Sequence, residues 1–414
     1  MTIQVHGLRG GGLRPDRLRA PASRGPVPVP AAAPPVPPPA LYRRIALGSV
    51  LVMVLAVVGS AIVVAGQTRP PRREAATVTA AAVPVPAPSA PHPALRELAA
   101  RHGLVFGSAV EAQALATNPG YAVDLAREFS SVTAESAMKW DAVEPTRGQP
   151  DFTAGDALVA FARAHGQVVY GHNLVWYTSL PAWLTTGGYT DDEYAQLLQG
   201  HITAEVGHFR HAVWAWDVVN EPLANDGTLR TDLWTRHLGP GYVADALRWA
   251  HAADPNAVLF LNDYGIEDVN AKSDGMYRLV RDLLAQGVPI GGVGFQMHLE
   301  TAGVPRRLAE NLRRFTALGL QVAITEMDVR VQVPAPRASL DRQAAVYTDA
   351  VTACLAVPGC VSFTVWGFTD AISWIPDTYD GYGQACLLDA TLAPKPAYWA
   401  VAGALRAATS ATGR

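Results

Sequence analysis

Between Ala94 and Ala408, eight short apolar runs alternate with longer stretches that suit helices. No other feature of the chain limits its fold as much. The runs are LVFGSAV (104–110), SSVTAE (130–135), VVYGHNLVW (168–176), VWAWDVVNE (213–221), VLFLND (258–263), GVGFQMH (292–298), LQVAITE (320–326) and VSFTVWG (361–367). Short, β-branched and nearly continuous apolar runs are what a parallel sheet covered by helices requires. The intervals hold amphipathic signals such as YAQLLQGHITAEVGHF and GMYRLVRDLLAQG, the second closing at Gly287, a good helix terminator. Eight strands with helices between them predict an α/β chain, a (β/α)8 TIM barrel. A doubly wound open sheet is the alternative. It needs a switch point, and its usual glycine-rich phosphate turn is missing.

The runs end in a consistent way. The second closes at Glu135, the third at His172 and Trp176, and the fourth at Asn220-Glu221. The fifth closes at Asn262-Asp263-Tyr264, the sixth at Gln296 and His298, the seventh at Glu326 and the eighth at Trp366. An open turn explains one such ending, but not seven. A barrel gathers the C-terminal ends of its strands into one ring, where its chemistry sits.

The region before residue 94 differs. Residues 1–44 are rich in Pro, Ala, Gly and Arg, have Asp16 as their only acidic residue, and read as a disordered arm. Ile45 to Gly66 is an uncharged apolar run long enough to cross a bilayer. Seven Arg precede it, which places the arm in the cytoplasm, although Arg69, Arg72 and Arg73 on the far side weaken that bias. We expect a signal anchor at 45–66 with the catalytic part outside the cell membrane. A long cleaved secretory signal is the alternative. Residues 67–93 read as a Pro/Ala-rich spacer, 94–408 as the barrel and 409–414 as a flexible tail.

The formal net charge of -3 gives no electrostatic reason to expect a nucleic-acid partner. Of three Cys, Cys354 and Cys360 are near enough in sequence to close a small loop. Cys386 reads as a buried small hydrophobe. No Cys/His spacing suggests zinc, nothing requires a cofactor, and we expect a monomer.

Glu221 and Glu326 close the fourth and seventh runs and could face each other across a cleft. Glycosidic bond hydrolysis needs such a pair, one group protonating the leaving oxygen while the other meets the oxocarbenium-like carbon. A separation of about 5–5.5 Å gives retention and a wider one inversion. Asn220 is suited to hold the sugar 2-hydroxyl, and Lys139 is a cation placed for sugar hydroxyls. His201, Asp328 and Asp370 read as structural groups.

The motifs WDVVNEP, ITEMD, ESAMKW, GHNLVW, NDY, GFQMHL and WGFTDAISW occur in the order seen in glycoside hydrolase family 10, the retaining endo-β-1,4-xylanases. The chain resembles that family through essentially all of residues 95–400. The resemblance implies Glu221 as general acid/base and Glu326 as nucleophile. It implies that Lys139, His172, Trp176, Asn220, Gln296 and His298 line the subsite of the attacked sugar. Glu135 and Trp374 would hold the next sugar, Tyr264 and Trp366 would line the cleft, and Cys354 and Cys360 stand where many relatives carry a disulfide.

The chain departs from the family pattern near that next sugar. Relatives usually read Glu-Asn where this chain has Glu135-Ser136, and carry Ser-Gln after LVWH where it has Tyr177-Thr178-Ser179. Ile375 replaces the Arg of the usual Ser-Trp-Arg. The expectation is a membrane-tethered endo-1,4-β-xylanase acting on xylan. The alternatives are a related β-1,4-glycanase or exo-acting glycosidase, and, remotely, an inactive polysaccharide-binding module.

Overall fold

The computed structural model describes residues 92–408. Ten strands form in chain order: β1 Val105–Val110, β2 Ser131–Ala134, β3 Val168–Val175, β4 Val213–Asn220, β5 Val258–Asp263, β6 Gly292–Phe295, β7 His298–Glu300, β8 Gln321–Gln332, β9 Cys360–Val365 and β10 Tyr382–Gly383. Each of the eight expected runs supplies one barrel strand. Parallel neighbours follow the ring β1-β2-β3-β4-β5-β6-β8-β9, and β9 pairs back onto β1 with Val105 opposite Ser362. Closure leaves no open edge in the ring. The (β/α)8 barrel is therefore the fold, and the open-sheet alternative falls.

The helices cover the outside through faces visible in the sequence. The helix Asp191–His208 starts at Thr190, whose side chain accepts the Glu193 amide while Glu193 reaches back. Tyr194, Leu198, Ile202 and Val206 recur at helical spacing on its buried face. The helix Ala271–Ala285 is capped by Asn270, and Gly287 follows it at φ +65°, as the sequence predicts. Inside the barrel wall, Tyr170, Ala215, Phe260 and Ala323 form a small cluster separate from the main core.

Two expected strand boundaries differ. The run 292–298 breaks into β6 and β7 because Met297 sits at φ +66°, outside the extended region. The seventh run does not stop at Glu326 but continues to Gln332, where β7 pairs it on one side and β10 on the other. Cys354 and Cys360 are disulfide-bonded across the loop between a helix and β9, and Cys386 is free and buried. Asp370 bonds Lys395 and the Cys386 amide, a structural role as expected.

Among the described residues no helix is long and apolar enough to cross a membrane. The expected arm at 1–44, the apolar run 45–66, the spacer up to residue 91 and the tail 409–414 lie outside the described residues.

Candidate active site

β4 ends at Asn220, and the next residue, Glu221, turns sharply at φ +55°. A non-glycine residue adopts such a backbone only when its surroundings hold it there. The Glu221 amide donates to the Asn262 carbonyl at 2.7 Å, and Arg230 Nε donates to the Glu221 carbonyl at 3.0 Å. The carboxylate accepts Gln296 Nε2 at 3.1 Å. The turn carries the carboxylate inward, where Glu221 is buried.

Glu326 lies midway along β8 and is also buried. Asn262 Nδ2 donates to its Oε1 at 2.7 Å, and His298 Nε2 lies 3.2 Å from its Oε2. Asn262 Nδ2 also donates to Asn220 Oδ1 at 2.9 Å, which accepts Gln296 Nε2 at 3.3 Å. A chain of side-chain amides therefore links the two carboxylates. Asn262 itself is oriented by Thr325, whose hydroxyl donates to its Oδ1 at 2.7 Å. Gly294 makes the room: a Cβ there would meet that amide oxygen at 2.4 Å.

Burial opposes charge on Glu326. The His298 hydrogen bond, the His172 and His298 imidazoles and the Asn262 amide outweigh it, and hold this carboxyl below its usual value. His298 is gripped on its other side by Asp328 at 3.0 Å, and Asp328 accepts Trp374 Nε1 at 2.8 Å. Burial works against the imidazolium too, but Asp328 and Glu326 raise its pKa to about 10. At neutral pH His298 is a cation bracketed by two carboxylates.

The remaining expected residues gather around this pair. His172 Nδ1 bonds Asp217 Oδ2 at 2.8 Å, and Tyr170 donates to Asp217 Oδ1 at 2.7 Å. Trp366 packs edge-on against both His172 and His298. Trp374 packs edge-on against His298, 4.8 Å between ring centres. Lys139 stands 5.1 Å from the centre of the Trp176 ring. Burial lowers the Lys139 pKa against the pull of Glu135 and Glu326, and burial raises that of Glu135 against Lys139. Tyr264 accepts Arg230 at 3.3 Å and carries Lys272 over its ring at 3.3 Å. Nine of the twelve expected site residues lie in one contact network, and Glu135, Lys139 and Trp176 form a neighbouring group coupled to it electrostatically.

His172, Asp217 and Glu326 each offer one ligand-type atom within 4.8 Å of the others, a set that could hold a metal ion. Their lone pairs and protons are already committed to each other and to Tyr170, Asn262 and His298. Sequence reading missed Asp217, Tyr170 and Thr325, which lie inside apolar runs with nothing local to mark them, and Arg230, which lies on a loop. His201 is structural as expected: it stacks on Trp140 at 3.9 Å between ring centres and bonds the Leu174 carbonyl.

This arrangement has close counterparts among known proteins. The sequence model of glycosyl hydrolase family 10 matches residues 94–404. An endo-1,4-beta-xylanase of Agaricus bisporus is 43% identical over 307 residues, which cover 73% of this chain and 92% of that one. Endo-1,4-beta-xylanase B of Thermotoga neapolitana is 42% identical over 277 residues, covering 66% and 80%. The crystal structure of native xylanase 10B from Thermotoga maritima has 40% identity and a TM-score of 0.74, covering 76% of this chain and 98% of that one. With one barrel, one ring of polar strand ends and a family match through the whole catalytic part, the chain belongs to glycosyl hydrolase family 10.

Proposed function

We propose that this protein is an endo-1,4-β-xylanase that cleaves internal β-1,4 bonds of xylan with retention, through a glycosyl-enzyme intermediate. One observation carries the reading: two buried carboxylates, on β8 and just past β4, are joined through Asn220, Asn262 and Gln296, and the His298 cation holds Glu326 ionised. The xylanase relatives support the substrate class, among them Thermotoga petrophila xylanase 10B, solved in complex with xylobiose at 39% identity.

Glu326 attacks the anomeric carbon from one face of the sugar while Glu221 gives its proton to the departing glycosidic oxygen. The negative charge on Glu326 disappears as the ester forms. Glu221, now ionised, takes a proton from water, and the resulting hydroxide displaces Glu326 with the starting configuration restored. Asn220 and Asn262 keep the attacking side rigid, and His298 and Asn262 stabilise Glu326 as it leaves. Lys139, His172, Trp176 and Gln296 bind the attacked sugar. Glu135 and Trp374 bind the next one, and Tyr264 and Trp366 wall the cleft. Proton NMR of early products from a xylo-oligosaccharide tests the reading. The β-anomer is expected first, and early α-anomer sinks it.

Ser136 is exposed and Ser179 half-buried, and these short hydroxyls favour a second reading in which the distal sugar is recognised differently. A sugar hydroxyl left without its amide partner loses about 1–3 kcal/mol. Ser136→Asn with Ser179→Gln is expected to raise kcat/KM on xylo-oligosaccharides about tenfold or more relative to matched cello-oligosaccharides. An unaltered preference refutes that reading. For location, the uncharged run 45–66 supports a single-pass anchor with the catalytic part outside the cell. Alkaline carbonate extraction of cell membranes should leave the protein in the pellet, whereas release into the medium indicates a cleaved signal.

A further inference from the structure

Gln296 and His298, the two side chains that reach Glu221 and Glu326, are separated by a single residue. That residue, Met297, holds a left-handed backbone at φ +66° and a fully buried side chain. An extended strand would carry Gln296 and His298 onward on one face. The left-handed step at Met297 is what ends β6, starts β7 and aims the two side chains at different carboxylates. A long apolar side chain disfavours that backbone, so something must hold it. The holder is visible. Glu267, on the loop after β5 and itself only 6% exposed, accepts the Met297 amide on Oε1 at 3.1 Å.

We propose that Glu267 is a positioning residue, which by gripping the backbone between Gln296 and His298 sets the aim of both catalytic carboxylates. The proposal rests on the reading of Glu221 and Glu326 given above. A buried carboxyl is a costly way to tie down an amide unless the geometry it maintains matters. Burial raises the Glu267 pKa, and its bonds to its own amide and to that of Met297, with the nearby Lys272 and His298, oppose that rise. His298 thus both touches Glu326 and is coupled electrostatically to Glu267.

The test uses the full-length enzyme on a defined xylo-oligosaccharide. Glu267→Ala is expected to lower kcat about 10–100-fold with KM within about threefold, the signature of misaimed reacting groups. The acid limb of kcat/KM should move to higher pH by about half a unit or more, because a displaced His298 holds Glu326 ionised less well. Glu267→Gln retains an acceptor oxygen for Met297 and should stay within about threefold of the parent in both measures. Should the Ala variant fail to fold, Glu267→Leu fills the space without an acceptor and is expected to give the same result. Unchanged kcat and acid limb in the Ala or Leu variant overturn the proposal, even if Tm falls, and so does a Gln variant as impaired as Ala. Glu326→Gln, measured alongside, keeps the two levels apart. If it turns over normally, the catalytic assignment falls and this proposal with it. If it is inactive while Glu267→Ala behaves like the parent, only the positioning role is lost.

Discussion

Glu326 and Glu205 are both buried carboxyls, one in the barrel wall and one on the inner face of the helix Asp191–His208, yet their surroundings drive them to opposite states. Glu326 has the Asn262 amide and the His298 imidazolium within hydrogen-bonding distance and is held ionised. Glu205 is fully buried, and burial pushes its pKa well above the usual value. His201 Nε2 comes within 3.3 Å of its Oε2, but the imidazole bonds the Leu174 carbonyl at 3.0 Å, and neither Glu205 oxygen has a hydrogen-bond partner among the described residues. Burial has also lowered the His201 pKa to about 3, so the ring is neutral and offers no charge to pair. Depth therefore does not decide whether a buried acid is ionised. Donors placed in advance do, and this protein has invested them where the chemistry is.

The strongest challenge to the contrast is Glu326→Gln. Removing the proposed nucleophile is expected to lower kcat on about the 10⁴-fold scale or beyond, while the circular dichroism spectrum and Tm stay near those of the parent. Substantial turnover of an unactivated substrate would contradict the assignment. His298→Ala sharpens the comparison by making Glu326 more like Glu205. Loss of this positioned cation should lower kcat about 10²-fold and move the acid limb of kcat/KM upward, since Glu326 then protonates at higher pH. An acid limb that stays put would mean that His172 and Asn262 hold the charge without His298.

The two acids also act on stability with opposite slopes. The folded-state pKa of Glu326 is lowered, so its contribution is present above the unfolded-state value and is lost as pH falls through the folded one. The folded-state pKa of Glu205 is raised, so the fold is best served below the unfolded-state value near 4.5, and stability drains away as pH rises above it. Glu205→Met removes that drain without leaving a polar group in the core. Its Tm at pH 8 should exceed the parent's by a few degrees, corresponding to about 1–4 kcal/mol, and the gain should shrink toward pH 4. Equal destabilisation at both pH values would show that the Glu205 carboxyl has a partner after all.

Much of the site was legible because a barrel converts sequence order into spatial order. Once eight apolar runs are identified, their polar endings must meet at one rim, which places Asn220, Glu221 and Gln296, whereas Glu326 was read as such an ending although β8 runs on to Gln332. Glu205 and Asp217 were not legible. Each sits in a run whose apolar spacing is unbroken around it, and only packing reveals that one has no hydrogen-bond partner among the described residues while the other is held by His172 and Tyr170. Glu267 was invisible for a related reason: its partner is a backbone amide thirty residues away.

What the sequence by itself determined was the parallel barrel and the rim on which the proposed pair of acids meets, because apolar periodicity and strand ends are local properties of the chain. What only the tertiary structure decided was the state and aim of those acids. The break at Met297, the left-handed turn at Glu221 and the charge on His298 each depend on atoms that approach from distant strands, and burial becomes ionisation or neutrality only when those partners are in place.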